Sequence, residues 1–194
     1  MTAGGRVLAV DLGARRLGWA AQAATGRVHH GLVLLPGIKD PGLLYRSVRN
    51  TLEDLVGKFA PGRIVFVPAF LSQARTSAAV GEALGGLQAI LVLVASDNDR
   101  DVVRLNERTV RKAILGKVNF GRVHPDTGGI VPGSGREEVK ELVMQWARGH
   151  GYNPLEHDEA DALALLHYVL EFEAGTRVPD TLSRKFPRPL AHGR

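Results

Sequence analysis

The sequence predicts an α/β protein built on one mixed, five-stranded sheet. Short apolar runs at 7–10, 18–24 and 27–35 follow one another with only tight turns between them, which is typical of an antiparallel meander. Two further runs, 64–67 and 101–105, are each preceded by a helical apolar pattern, and strands joined by helices tend to pair in parallel. We therefore expect a three-stranded antiparallel meander extended by two parallel strands and flanked by helices.

Helical spacing of apolar residues predicts the helices that flank this sheet. The predicted helices cover residues 43–56, about 76–95, about 107–115, 139–149 and a last stretch that ends near 170. Residues 117–135 contain five Gly and two Pro, so we expect an irregular loop there. The chain is predicted to form one domain over residues 1–173, followed by a basic, flexible tail over 174–194.

The composition is that of an ordinary globular protein. Hydrophobic residues make up 44% and charged residues 23% of the 194 positions. The chain has no cysteine, which excludes disulfide frameworks and thiolate metal sites. Its apolar stretches are judged too short to span a bilayer, so we expect no membrane partner and a cytoplasmic location. The formal net charge of +5 is compatible with a nucleic-acid partner.

Asp11 is the first candidate for a functional residue, because it closes a buried strand. The run at 7–10 is apolar, and Asp11 follows directly, before a turn that contains Gly13. A carboxylate in this position loses hydration unless a hydrogen-bond donor or a metal ion compensates. A turn-capping role is equally compatible with these residues. The segment alone leaves both interpretations open.

A second acidic motif opens the last predicted helix. Asp158 and Asp161 are three residues apart, so on a helix they lie on one face. Acidic residues also cap helix starts, and for this motif alone capping is the more common role. In combination with Asp11, however, the pair indicates a site for hard divalent cations, because carboxylates brought together repel one another. Two such ions can activate a water molecule and stabilise the leaving oxygen in phosphodiester cleavage.

Five sequence motifs resemble those of a known family. They are VLAVDLGARRLGWA (7–20), SAAVGEALGGLQAIL (77–91), RTVRKAILG (108–116), GREEVKELV (135–143) and DEADALALLHYV (158–169). Their order and spacing are similar to those of the RuvC-type Holliday junction resolvases of the RNase H-like superfamily. The resemblance covers roughly residues 7–170 and implies an RNase H-like fold.

The resemblance also implies a function. It implies a Mg²⁺-dependent endonuclease, with Mn²⁺ able to replace Mg²⁺, that cleaves branched DNA such as a four-way junction in recombination and repair. It further implies that the active form is a homodimer. On the matched motifs, Asp11, Asp158 and Asp161 would hold the metal. Lys140 would act near the scissile phosphate.

Basic residues are expected to contact the nucleic acid. The resemblance places Arg111 or Lys112 at one conserved lysine of the family and Lys140 at a second. Lys117 and Arg122 belong to the predicted loop, where contact with phosphates and a plain solvated role are equally compatible with the sequence. The full set of predicted nucleic-acid contacts is Arg111, Lys112, Lys117, Arg122, Arg136 and Lys140.

One position departs from the family pattern. The resemblance implies a glutamate at the end of the fourth strand, where this chain has Val67 followed by Pro68. Valine cannot bind a metal, which leaves four explanations: another carboxylate substitutes, the site works with fewer ligands, the protein is inactive, or the residue was altered. Our candidate substitute is the metal ligand Glu107, because it follows the fifth strand and should lie at the same edge of the sheet.

Two other functions remain open from the sequence. Val67 favours a protein of the same fold that binds branched DNA without cutting it. The opening motif LAVDLGARRLGWA also resembles YqgF-type nucleases that act on RNA, although DEADALALL fits the resolvases better. His29 and His30 are not expected to form a metal pair in any of these functions, because adjacent strand residues point to opposite faces.

Overall fold

The computed structural model describes residues 5–68, 77–116, 126 and 135–173, and the structural statements below concern these residues. The elements are β1 (Val7–Leu12), β2 (Arg16–Gln22), β3 (Val28–Leu34), α1 (Pro41–Phe59), β4 (Arg63–Phe66), α2 (Ala78–Asp97), β5 (Asp101–Arg104), α3 (Glu107–Leu115), α4 (Arg136–Gly149) and α5 (His157–Tyr168), which continues into a π-helical turn, Val169–Glu173. Nearly all of the predicted loop at 117–135 and the predicted tail at 174–194 lie outside the described residues, so the division into domain and tail stays a prediction.

The five strands form one sheet in the order β3-β2-β1-β4-β5. β1 pairs antiparallel with β2, and β2 pairs antiparallel with β3. β4 runs parallel to β1, and β5 runs parallel to β4. This arrangement confirms the predicted meander extended by two parallel strands. The carboxyl ends of β1, β4 and β5 consequently meet at one edge of the sheet, where ligands of open α/β sheets usually bind.

Side-chain alternation along β1 divides the protein into two hydrophobic layers. Leu8 and Val10 point into the core beneath α1 and α2. Val7 and Ala9 point to the other face and pack into the core beneath α3, α4 and α5. Because successive strand residues alternate, Asp11 belongs to the face covered by these three helices. The strand thus carries a carboxylate directly toward the α5 layer.

The start of α3 is fixed by its own sequence. The Asn106 side chain accepts a hydrogen bond from the Arg108 N–H at 2.9 Å, which satisfies a donor that the first helical turn leaves free. The helix ends at Gly116, whose φ of 73° is in the left-handed region that glycine adopts without strain. Between these two ends, α3 places Glu107 and Arg111 one turn apart.

The prediction that every apolar stretch is too short to span a bilayer is wrong for helix α2. Its 20 residues are long enough and apolar enough, by length and composition, to cross a membrane, whereas the apolar stretches were judged too short. In the described structure, Leu87, Leu91 and Val94 of α2 pack into the core beneath α1 and α2. Only 28% of the apolar window is buried, so one packed face accounts for part of the apolar composition.

α5 lies unusually close to β2 at Gly18. A Cβ atom added to Gly18 would lie 1.9 Å from the carbonyl oxygen of Asp158 and 2.8 Å from the Glu159 nitrogen. Real side chains do not tolerate such distances, so only glycine permits this approach. The first turn of α5 therefore rests directly on the backbone of β2, beside the strand that carries Asp11.

We expect Gly18→Ala to lower the free energy of unfolding by at least about 2 kcal/mol, because the methyl group forces α5 away from the sheet. Urea denaturation of the wild type and the variant measures this change. Gly57→Ala is the matched control: Gly57 lies inside α1 with open space around its Cβ position, so alanine should stabilise by roughly 0.5–1 kcal/mol. Equal effects of the two substitutions would show that α5 does not depend on the close approach.

Candidate active site

Asp11 lies at the carboxyl end of β1, partly buried under the layer of α3, α4 and α5. Its backbone is paired with Gly18 of β2, the residue on which α5 rests. On the other side of β1, the parallel strand β4 ends at Phe66, whose partner on β1 is Val10. Asp11 therefore lies in the middle of the sheet edge, between the meander and the parallel strands.

α5 brings two further carboxylates to this edge. Asp158 lies in the first turn, and a Cβ atom added to Gly13, just after β1, would lie 3.5 Å from Asp158 Oδ1. Asp161 lies one turn later and lines a cleft that Asp11 also lines. The structure thus places Asp11, Asp158 and Asp161 at one edge of the sheet, in the arrangement expected from their order and spacing.

A cleft of about 50 Å³ opens between the sheet edge, α3 and α5, and it has room for a few water-sized groups. Its charged wall consists of Asp11, Asp161, Glu107 and Arg111. Its apolar wall consists of Val67, Val110, Ile114, Leu115, Val143, Ala164 and Leu165. The charged groups consequently share the cleft with a larger number of apolar side chains, and in such surroundings water screens their interactions poorly.

Burial raises the pKa of Asp11 well above its usual range. Loss of hydration is the largest cause, and the negative charges of Asp161, Asp158 and Glu107 act in the same direction. The guanidinium of Arg111 opposes them. The repulsion among these carboxylates shows that they are close enough to interact through a poorly hydrated medium.

The pKa of Asp161 is raised to about 7, and loss of hydration is again the largest cause. Arg111 lowers this pKa, whereas Glu107 and Asp158 raise it, and Lys140 lowers it further. A carboxyl group that titrates near neutral pH in a cleft is a common mark of a functional site, because the same crowding serves to bind cations.

Val67 and Glu107 line the same cleft as Asp11. Val67 directly follows β4, at the position where the family resemblance implies a glutamate, and it packs against the core beneath α5. Glu107 lies at the edge expected from the strand order, and its carboxylate forms an ion pair with Arg111. The role of Glu107 as a metal ligand stays a prediction.

The basic residues fall into three groups. Arg111 lines the cleft, whereas Lys112 is exposed on the outer side of α3. The Lys140 Nζ lies 3.0 Å from Glu137 Oε1 on α4, and its charge reaches Asp161, as the pKa of that carboxyl group shows. The predicted contacts outside the described residues are Lys117, Arg122 and the side chain of Arg136.

The sequence analysis missed the ion pairs that hold the start of α5. Arg16 Nη1 lies 2.8 Å from Glu156 Oε2 and 3.8 Å from Asp158 Oδ2. His30 Nδ1 lies 2.6 Å from Glu159 Oε1. The partners in the two closest pairs are 140 and 129 residues apart in the sequence. No local pattern signals contacts of that range, and the run of acidic residues at 156–161 was the one available sign.

The same architecture is found in solved structures. The chain is similar to T. thermophilus RuvC in complex with a Holliday junction substrate, with a TM-score of 0.63, 17% sequence identity and coverage of 88% of this chain and 96% of that chain. A further Thermus thermophilus RuvC structure matches with a TM-score of 0.58 and 18% identity, over 85% and 95% of the two chains. The chain has the RuvC-type fold. This result confirms the RNase H-like fold that the sequence motifs implied.

The other comparisons are weaker. The crystal structure of the yeast mitochondrial Holliday junction resolvase Ydc2 has a TM-score of 0.48 and 16% identity, over 84% of this chain and 76% of that chain. No family model matches the chain, and no curated protein matches it significantly. At these identities, the similarity to RuvC establishes the fold.

The donor chemistry of this cleft and its surroundings fits a hard divalent cation. Asp11, Asp161 and Glu107 present carboxylate oxygens to one cleft, and Asp158 adds a further carboxylate beside Gly13. Carboxylate oxygens are the ligands that Mg²⁺ and Mn²⁺ prefer. Among the residues that the structure describes, no three carboxylate or imidazole groups are gathered closely enough to hold a metal ion. Binding would therefore require these side chains to turn toward one another.

We expect Asp161→Asn to stabilise the metal-free protein at pH 8. The folded state binds the Asp161 proton more tightly than the unfolded chain does, because folding raises the pKa from 3.8 to about 7. The stabilisation from this proton is complete at low pH and is lost as the pH rises through about 7. Asparagine stays neutral and avoids that loss.

Thermal unfolding in EDTA between pH 4 and pH 8 measures the difference. The variant should melt several degrees above the wild type at pH 8, at roughly 2–4 °C for each kcal/mol, and the difference should vanish near pH 4. Asp54→Asn is the control, because Asp54 is exposed on α1. A constant difference across this pH range would contradict the electrostatic origin of the effect.

Proposed function

We propose that this chain is a metal-dependent, structure-selective endonuclease that cleaves phosphodiester bonds in branched DNA. The observation that carries the proposal is the meeting of Asp11, Asp158 and Asp161 at one edge of a RuvC-type sheet. T. thermophilus RuvC, which shares this fold, has been solved in complex with a Holliday junction substrate. The net charge of +5 is compatible with a polyanionic substrate.

Asp11, Asp158 and Asp161 would hold Mg²⁺, or Mn²⁺ in its place. When bound, the ion supplies a Lewis acid that activates water and stabilises the leaving oxygen of the phosphodiester. Because the pKa values of Asp11 and Asp161 are raised, both groups give up protons when they bind a cation, so cation binding should tighten as the pH rises.

Arg111 and Lys140 are the cationic side chains best placed to meet the DNA backbone at this site. Arg111 lines the cleft, and Lys140 lies close enough to influence Asp161. Positive side chains beside a scissile phosphate increase affinity for the polyanion and stabilise the charge that develops on its oxygens. The apolar wall of the cleft strengthens these interactions, because it keeps bulk water away.

Glu107 supplies the carboxylate that Val67 cannot supply. Both residues line the cleft beside Asp11, so a ligand at the start of α3 can replace one at the end of β4. The Glu107 carboxylate forms an ion pair with Arg111, which also lines the cleft. This assignment explains how the chain can retain a metal site despite the valine.

The active form is a homodimer. Symmetric cleavage of a four-way junction needs two active sites related by a two-fold axis, which a dimer of this chain provides. The outward face of α2 supports this assembly, because Gly85, Ala89 and Leu93 recur at four-residue intervals and are exposed. Leu93 has 46% of its surface exposed, and a small, apolar helix stripe allows a second helix to approach closely.

A junction-binding protein without nuclease activity is the second candidate. It is favoured by Val67, which places an apolar side chain in the cleft wall where the family resemblance implies a glutamate. Such a protein would bind a four-way junction and leave it uncut with either Mg²⁺ or Mn²⁺. The first assay below separates the two candidates.

We expect Asp11→Asn to reduce cleavage of a synthetic four-way junction in Mg²⁺ by at least about 100-fold, because the amide cannot replace the carboxylate as a cation ligand. Junction binding, measured in EDTA by gel shift, should change by less than about threefold. Asp54→Asn serves as the matched control, since Asp54 is exposed on α1 across the sheet from the cleft. Cleavage that survives Asp11→Asn overturns the metal assignment, and a wild type that binds without cutting favours the second candidate.

We expect Glu107→Gln to weaken Mn²⁺ binding about tenfold, as measured by calorimetry, because it removes one carboxylate from the cleft. The double variant Val67→Glu with Glu107→Gln should recover the lost affinity, since position 67 lines the same cleft. Glu82→Gln is the control, because Glu82 is exposed on α2. Unchanged Mn²⁺ affinity in Glu107→Gln would exclude Glu107 as a ligand.

A further inference from the structure

Glu159 is a buried carboxylate for which the proposed chemistry has no direct use. It has 4% of its surface exposed and is the one charged residue buried in the part of the chain that the structure describes. It lies between Asp158 and Asp161 in the first turn of α5. A buried carboxylate loses a large hydration energy unless hydrogen-bond partners replace the water, so Glu159 needs strong partners inside the protein.

Each of the two oxygens of this carboxylate has a hydrogen-bond partner. Glu159 Oε1 lies 2.6 Å from His30 Nδ1, and Glu159 Oε2 accepts a hydrogen bond from the Leu155 N–H at 2.7 Å. The tautomer of His30 decides which of the two groups donates in the first contact. The His30 ring is in turn packed edge-on against Tyr152, with 5.7 Å between the ring centroids. Both oxygens are therefore held in fixed directions.

These contacts join three separate parts of the fold. His30 belongs to β3 and is paired with Ala20 of β2, so it is part of the rigid meander. Leu155 belongs to the segment that leads into α5, and Glu159 belongs to the helix itself. Gly18 allows the same helical turn to rest on β2. Together, these contacts set the height of α5 above the sheet and its rotation about its own axis.

The rotation of α5 decides where its aspartates point. Successive helical residues are separated by about 100°, so Asp158 and Asp161 project in directions different from that of Glu159. Asp158 lies beside Gly13, and Asp161 faces the cleft, while Glu159 faces His30 on the meander. Glu159 therefore contacts neither the cleft nor its contents, and it acts on them only through the helix.

A second set of contacts, the ion pairs of Arg16 at the start of α5, constrains the helix less strongly. Arg16 contacts Glu156 at 2.8 Å and Asp158 at 3.8 Å, but the Arg16 and Glu156 side chains are 42% and 38% exposed. Exposed ion pairs contribute little to holding a structure, because water and salt screen them. The buried contact of Glu159 is thus the stronger constraint on the first turn.

We propose that Glu159, held by His30, is the positioning residue that sets Asp158 and Asp161 against Asp11 for cation binding. This inference rests on the proposed function, because it gives the two aspartates of α5 their role as cation ligands. It adds a non-ligating acidic residue to the site, together with a histidine from β3, the outer strand of the meander.

The test compares Glu159→Ala, Glu159→Gln and His30→Ala with the wild type by amide hydrogen exchange, Mn²⁺ calorimetry and junction cleavage. In Glu159→Ala, exchange at Leu155 and in the first turn of α5 should accelerate at least about tenfold, because the amide loses its acceptor. Mn²⁺ affinity should fall at least about tenfold and kcat should fall with it, while KM for the junction changes little. His30→Ala should show the same pattern to a smaller degree, and it serves if Glu159→Ala does not fold.

Glu159→Gln should restore Mn²⁺ affinity to within about threefold of the wild type, because the amide keeps an acceptor for Leu155 and a donor for the other tautomer of His30. Val48→Ala is the stability control, since Val48 belongs to α1 and is fully buried in the core on the opposite face of the sheet. It should lower stability and leave Mn²⁺ affinity and kcat unchanged.

Two results would overturn the positioning role: wild-type Mn²⁺ affinity in Glu159→Ala, or an equal loss of affinity in Val48→Ala. Failure of the proposed function has a different signature. A wild type that binds no Mn²⁺ and cuts no junction contradicts that function, and with it any role of Glu159 in cation binding, whatever the hydrogen exchange shows. A wild type that binds and cuts, with variants that do so equally well, contradicts only the positioning role.

Discussion

The close contact between α5 and β2 at Gly18 is the constraint on which the rest of the site depends. A side chain at this position would overlap the Asp158 backbone, so glycine alone lets the helix rest on the strand next to β1. That contact brings the aspartates of α5 to the end of β1, where Asp11 closes the strand. The sheet order then adds α3, with Glu107 and Arg111, to the same edge.

The carboxylates at this edge repel one another, and the nearby positive charges cancel only part of that repulsion. Arg111 lowers the pKa of both Asp11 and Asp161, yet loss of hydration keeps both raised. A divalent cation would remove the remaining repulsion, and for this reason the metal-free site is expected to be least stable above neutral pH. The buried carboxylate of Glu159, in contact with His30 of β3, also connects the first turn of α5 to the sheet.

The sequence was sufficient for the sheet, because alternation and helical spacing are local patterns. It also placed Asp11 and Glu107 at one edge, since strand order decides which strand ends meet, whereas Asp158 and Asp161 were assigned to the site from their helical spacing and the family resemblance. It could not separate Arg111 from Lys112, because adjacent helical residues differ only in the direction that packing selects. The contacts of Arg16 and His30 with α5 join residues more than a hundred positions apart, so no local pattern predicts them. The apolar length of α2 was underestimated, because this helix combines a buried apolar face with an exposed face of small and apolar residues.

Diffraction from crystals soaked in Mn²⁺, recorded with anomalous scattering, tests the central claim most directly. We predict a Mn²⁺ peak between Asp11 and the aspartates of α5, with about 2.1 Å between the ion and the carboxylate oxygens. The peak should be absent from crystals of Asp11→Asn. A cleft without Mn²⁺ under these conditions, or a Mn²⁺ site that excludes Asp11, would contradict it.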